Sequence, residues 1–160
     1  MKLLQIVGAA IALATLAACA NGTTMVTNAP SVERPAFQAA QVEAAQHAVE
    51  GDAEQIALFE TKLREGLAAA GFADGPGLTL RYRLIQYERG SQALRYVVGL
   101  GVGRGSLTFE VTYLDQAGSE LGRVNVGGDI SGGLLGGGFG EATTKAAQEA
   151  VDYAAQNFKD

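Results

Sequence analysis

The sequence predicts an α+β domain: a small antiparallel sheet of three to four strands, with N- and C-terminal helices packed on one face. Three observations carry that reading. Residues 78–88 and 107–113 alternate apolar with polar side chains, residues 121–130 return after a turn, and stretches with a 3.6-residue apolar period flank this β region. No internal repeat interrupts the pattern, and 160 residues suit one domain with a leader and a tether.

Residues 37–50 (FQAAQVEAAQHAVE) are rich in alanine and glutamine, good helix formers, and read as a helix with few large anchors. His47, the single histidine, would then face solvent. Asp52 to Ala70 is a stronger helix. Asp52 can cap it, with Gln55 placed as in a capping box; Ile56, Phe59, Leu63 and Leu67 form one stripe, and Gly71 is a stop. In 78–88, Leu78, Leu80, Tyr82 and Leu84 alternate with Thr79, Arg81 and Arg83, the mark of a half-buried strand. Leu107, Phe109, Val111 and Tyr113 repeat that pattern. Asp115 to Gly118 is a turn into the hairpin partner, with Gly122 a candidate bulge. Glu141 to Phe158 closes the chain as a helix with a narrow, alanine-rich stripe (Ala146, Ala147, Ala150, Val151, Ala154, Phe158) suited to close packing.

The N-terminus reads as an export signal. Met1-Lys2 is a short positive region, and Leu3 to Leu16 is an apolar run below the ~20 residues needed to span a bilayer. Leu16-Ala17-Ala18-Cys19 looks like the bacterial lipobox. Residues 1–18 are therefore expected to be removed and Cys19 to be acylated. Two or three acyl chains on Cys19 would hold the protein to a lipid bilayer, which one chain does only marginally. Ala20, where an aspartate would favour inner-membrane retention by similarity to enterobacterial signals, favours the periplasmic face of the outer membrane. Residues 19–35, with Pro30 and Pro35 and no apolar period, read as a flexible tether, and 36–160 as the periplasmic domain.

Charge and composition narrow the function. Lysine and arginine total 12 against 17 acids; losing Lys2 with the leader leaves 11, a net charge of −6. An acidic domain is a poor nucleic-acid binder, and an anionic membrane surface would not attract it, so attachment falls to the anchor. One cysteine cannot form an internal disulfide, and one histidine gives neither a metal site nor a base near a nucleophile. No catalytic constellation and no cofactor is expected. Six of the eight arginines fall between Arg81 and Arg123 against four acids, so the sheet region is locally basic, and Arg81 and Arg83 with Tyr87 and Arg89 could form a basic-aromatic patch.

Glycines stand out at Gly99, Gly101, Gly103 and Gly105, and again in 132–140 (GGLLGGGFG) before the last helix. A glycine loop opening a helix can cradle phosphate, but the first segment fails the G-x-G-x-x-G pattern and neither carries G-K-[ST]. Gly132, Gly136 and Gly140 are spaced like a small-residue helix face, in a run too short to span a membrane. The remaining readings are backbone freedom or a bare strand face against which a partner sits. Gly99, Gly101, Gly103, Arg81 and Arg83 are thus the candidate partner surface.

Residues 90–96 (GSQALRY), then Gly99, Gly101 and Gly103, then Asp115-x-x-Gly118, then Gly137-Gly138-Phe139-Gly140 ahead of a helix, resemble the uncharacterised proteobacterial lipoproteins of domain of unknown function 4410. The resemblance runs from about Phe37 to the end, is most specific over 90–103, and implies an envelope lipoprotein with no assigned activity. The architecture is also similar to periplasmic domains of curli-secretion lipoproteins and of lipoprotein activators of peptidoglycan synthases, which place a strand before the first helix. The expectation is a non-catalytic, outer-membrane-anchored module binding another envelope component, above all a protein. The alternative is a small-ligand or lipid-binding domain using the glycine loops.

Overall fold

The computed structural model of the chain describes residues 25–28, 35–90, 105–130 and 138–159. The elements are β1 (Met25–Asn28), β2 (Ala39–Ala44), α1 (Ala53–Ala69), β3 (Ala73–Asp74), β4 (Leu78–Glu88), β5 (Gly105–Leu114), β6 (Glu120–Ile130) and α2 (Phe139–Phe158). The class is α+β, as the sequence indicates, but the sheet is larger than expected and mixed. Its six strands run in the order β1-β6-β5-β4-β2-β3, and β2 pairs in parallel with both β3 and β4.

The alternating strands explain the core. Leu78, Leu80, Tyr82 and Leu84 of β4, Leu107, Phe109, Val111 and Tyr113 of β5, and Val124 and Val126 of β6 are all buried in one cluster with residues of both helices. Phe59 of α1 stacks on Phe109 with ring centroids 3.8 Å apart. The Tyr113 hydroxyl, fully buried, donates to the Ala150 carbonyl of α2 at 2.7 Å, and burial raises its pKa well above the ordinary range. The small stripe of α2 is buried throughout, and α1 meets it at Gly66, where a Cβ would lie 2.8 Å from the Val151 side chain. The two helices run side by side in the same direction. Thr143 donates to Gln55 near their starts, and Lys159 donates to the Gly71 carbonyl at their ends.

Two segments differ from the sequence expectation. Residues 39–44, expected in a helix, form β2, with Ala40 and Val42 buried and Gln41 and Glu43 on the opposite face. Helix propensity is a weak preference of tenths of a kcal/mol per residue; five ladder positions against β4 outweigh it. β2 stands ahead of the first helix, where the periplasmic domains similar in architecture also place a strand, although the composition of 37–50 reads as helix. His47 follows it as an acceptor rather than a solvent-facing side chain. The Leu84 N–H donates to its Nδ1 at 3.1 Å, between backbone bonds from Ala45 to Tyr82 and from Ala48 to Leu84. The second correction lies in the tether: Met25–Asn28 pairs antiparallel with β6 at Val124 and Asn125, so this part of 19–35 belongs to the sheet. Threonine and β-branched valine suit a strand edge, and a four-residue strand shows too little periodicity to be read.

The expected stops and turns hold. Asp52 caps α1, though it accepts from the Glu54 N–H and leaves Gln55 to Thr143. Gly71 ends the helix at φ +84°, and Asp115 accepts from the Ala117 and Ser119 N–H groups in the β5–β6 turn. Leu121 is the extra residue of a bulge beside Gly122, since Tyr113 faces Gly122 and Leu114 faces Glu120.

Candidate functional site

Both helices lie on one side of the sheet, so the residues between the core positions of β2, β4, β5 and β6 form a second face. Among the described residues, no element covers it. Cross-strand register sets its contents in rows. Glu43, Arg81, Thr112 and Arg123 lie in one row, and Arg83, Glu110 and Asn125 in the next. Side chains directly opposite on adjacent strands stand close enough to interact. Arg81 pairs with Glu43 at 3.0 Å and Arg83 with Glu110 at 2.8 Å. Arg123 reaches Glu110 at 3.6 Å and also Glu120, which holds its guanidinium pKa above the ordinary value. Glu110 is 13% exposed and lies between two guanidinium groups.

The arginines expected at this surface are therefore there, but matched: three arginines meet three carboxylates, and the local excess of positive charge disappears on this face. Glu43, Glu110, Glu120 and Arg123 were not singled out by the sequence reading. Glu110 could have been found, because it alternates with the core residues of a recognised strand. Glu43 could not, while its segment read as helix. Two polar atoms here, Arg123 Nε and Asn125 Oδ1, are buried without a hydrogen-bond partner among the described residues.

Tyr87 and Arg89 do not join Arg81 and Arg83. A bulge between Leu84 and Gln86 turns Tyr87 to the helix side, opposite Leu107, where its ring packs on Phe139 at 5.4 Å. Arg89 bonds the Tyr87 hydroxyl at 3.2 Å and Asp52 at 2.8 Å, tying the end of β4 to the start of α1. One inserted residue splits the expected basic-aromatic patch in two. Gly99, Gly101 and Gly103, Cys19 and most of 132–140 lie outside the described residues. Gly105 opens β5, where a Cβ would meet Phe139 at 2.8 Å and the Glu88 carbonyl at 2.9 Å, so there its role is packing.

A cavity of about 390 Å³ lies at one end of the open face, lined by Gln41, Glu43, Thr79, Arg81, Leu114 and Asp115. Gln41 donates to Thr79 at 3.0 Å and to Glu43 at 3.3 Å, which pre-orders its polar wall. Among the described residues, no cluster of three or more histidine, cysteine, aspartate or glutamate side chains is placed to hold a metal. No described helix is long and apolar enough to cross a membrane.

The fold and this face define a two-layer α+β module with one covered and one open sheet face. The chain belongs to the family described as "Domain of unknown function (DUF4410)", whose model matches residues 24–132. That match begins at the edge strand β1, ahead of the start near Phe37 that the sequence resemblance suggested. Among the solved structures that share the fold are two PelC dodecamers from Paraburkholderia phytofirmans. One, of a leucine-to-methionine variant, is 15% identical with a TM-score of 0.57; the other is 13% identical with the same score. Each alignment covers 88% of this chain and 100% of the other. No curated protein matches the sequence.

Proposed function

We propose that this chain is a lipid-anchored, non-catalytic module of the outer membrane that binds another envelope component, a protein above all, through the open sheet face. Residues 1–18 are the leader, acylated Cys19 is the anchor, and the domain stands on the periplasmic side. The observation that supports this reading best is the open face itself. It is lined with ion pairs that are only partly buried, and Glu110 joins two of them. Such pairs add little to folding, each about 0–1 kcal/mol, yet a partner with complementary charge can exchange with them and gain orientation and specificity.

Self-assembly belongs to the same reading. The two PelC structures that share this fold are dodecamers, and a subunit of an assembly presents the same open face many times over. Intact-cell crosslinking followed by mass spectrometry tests the proposal. The expected product is one envelope protein joined to this chain through 41–43, 81–83, 110–112 or 123–125. Products joined only through α1 or α2 would overturn it. The anchor is tested separately: Cys19→Ser should abolish palmitate labelling and release the protein from membranes, and continued membrane association would sink the lipoprotein reading.

A further inference from the structure

Resting on the self-assembly reading, we infer that copies of this chain join head to tail by sheet extension: β1 of one copy pairs with the free edge of β2 in the next. The two edges fit in length, polarity and chemistry. At one end of the sheet, β1 is paired only on its β6 side among the described residues. At the other, β3 covers β2 only at Ala39 and Ala40, which leaves the outer edge of Gln41 to Ala44 without a strand partner among the described residues. Four residues of β1 thus face four of β2. Following the pairings across the sheet, β1 runs opposite to β2, so a copy added edge to edge with its faces in register makes an antiparallel pair.

The side chains agree. Val26 lies opposite the buried Val124, hence on the helix side of the sheet, yet it is 50% exposed because the helix layer stops short of β1. On the same side at the far edge, a groove of about 210 Å³ is lined by Ala40, Val42, Leu67, Ala68 and Phe72 together with the charged Arg64 and Asp74. A neighbour's Val26 would enter that groove from the edge. Arg64 stands guard there: its Nη2 donates both to the Val42 carbonyl at 3.0 Å and to Glu60 at 2.8 Å, and its Nε donates to Glu60 at 3.1 Å. The Arg64 side chain is 47% exposed and can swing out while keeping Glu60. A charged cap on an exposed edge discourages pairing with arbitrary strands. Because the two surfaces differ, the contact is heterologous, and a repeated heterologous contact closes into a ring when its rotation allows.

The test sizes the acylated full chain in detergent micelles by analytical ultracentrifugation, with thermal unfolding beside it. Wild type should sediment as a multimer. Val26→Lys should reduce the protein mass to that of one chain with an unchanged melting temperature, and so should Ala68→Glu, an exposed helix position that leaves β1 untouched. Combining the two in one chain should restore the multimer, since each junction then holds an ion pair. If wild type assembles and neither single variant dissociates it, the interface lies elsewhere and this inference fails while self-assembly stands. A monomeric wild type overturns both.

Discussion

The two faces of the sheet are made of the same strands and differ in almost everything else. On the helix side, Leu80, Phe109, Val111 and Val124 are fully buried and make one continuous core. One residue along each strand, on the other side, stand Arg81, Glu110, Thr112 and Arg123, with Arg81 paired to Glu43 and Glu110 held between Arg83 and Arg123. The covered face is fixed by area removed from water, about 25 cal/mol per Å² of apolar surface. The open face has no such constraint. Its residues are free to be chosen for what they meet outside the chain, so stability resides on the covered face, and the open face is where the proposed binding surface lies.

The sharpest way to break that division is to remove equal bulk from each face. Phe109→Ala should cost about 3–5 kcal/mol, because it deletes a ring stacked on Phe59 and leaves a cavity. Chemical denaturation reads the loss. Gly127→Ala comes next. Its φ is +111° and an added Cβ would lie 2.2 Å from the Leu107 carbonyl, so the cost should exceed about 1 kcal/mol although no core contact is removed. Tyr82→Phe should cost about 1 kcal/mol by deleting the 2.7 Å bond from its hydroxyl to the half-exposed Glu60 carboxylate. At the low end, Arg81→Ala should change stability by less than about 1 kcal/mol, since its ion pair with Glu43 is nearly half exposed. The same substitution should weaken the crosslink to the envelope partner. A loss of stability equal to that of Phe109→Ala would erase the distinction between the faces.

The Tyr82–Glu60 pair also has a pH signature on the covered side. The Tyr82 hydroxyl bond, then the Arg64 bond, lowers the Glu60 pKa below its ordinary 4.5. Its contribution is therefore present above that ordinary value and is lost as pH falls through the lower, folded value. Burial, then Glu60, raises Tyr82 above its ordinary 10.0, so its share is present below pH 10 and is lost as pH rises through the higher folded value. Unfolding measured across pH should show both dependences flattened in Tyr82→Phe.

The same asymmetry governed what could be read in advance. The covered face was legible because burial imposes a period: every core residue expected from 78–84, 107–113 and the α2 stripe is buried. Edges and irregularities were not. β1 and β3 are four and two residues long and lack a visible period. β2 is built from alanine, glutamine and glutamate, whose local preference is helical, and only its pairing with β4 reveals it. The bulge at Leu84–Gln86 carries no sequence mark, so Tyr87 was assigned to the wrong face. Arg81 and Arg83 were placed correctly, whereas their carboxylate partners depended on register, which a single sequence does not state.

The measurement that bears most directly on the division of labour is site-specific photocrosslinking in living cells, with the reactive side chain placed at Thr112 or at Lys145. Thr112 sits mid-row on the open face between Arg81 and Arg123, and Lys145 is exposed on α2. The account predicts a discrete crosslinked species from Thr112 and none from Lys145, with wild-type amounts of both proteins in the membrane fraction. A discrete species from Lys145 with none from Thr112 would contradict it and move the binding surface to the helices.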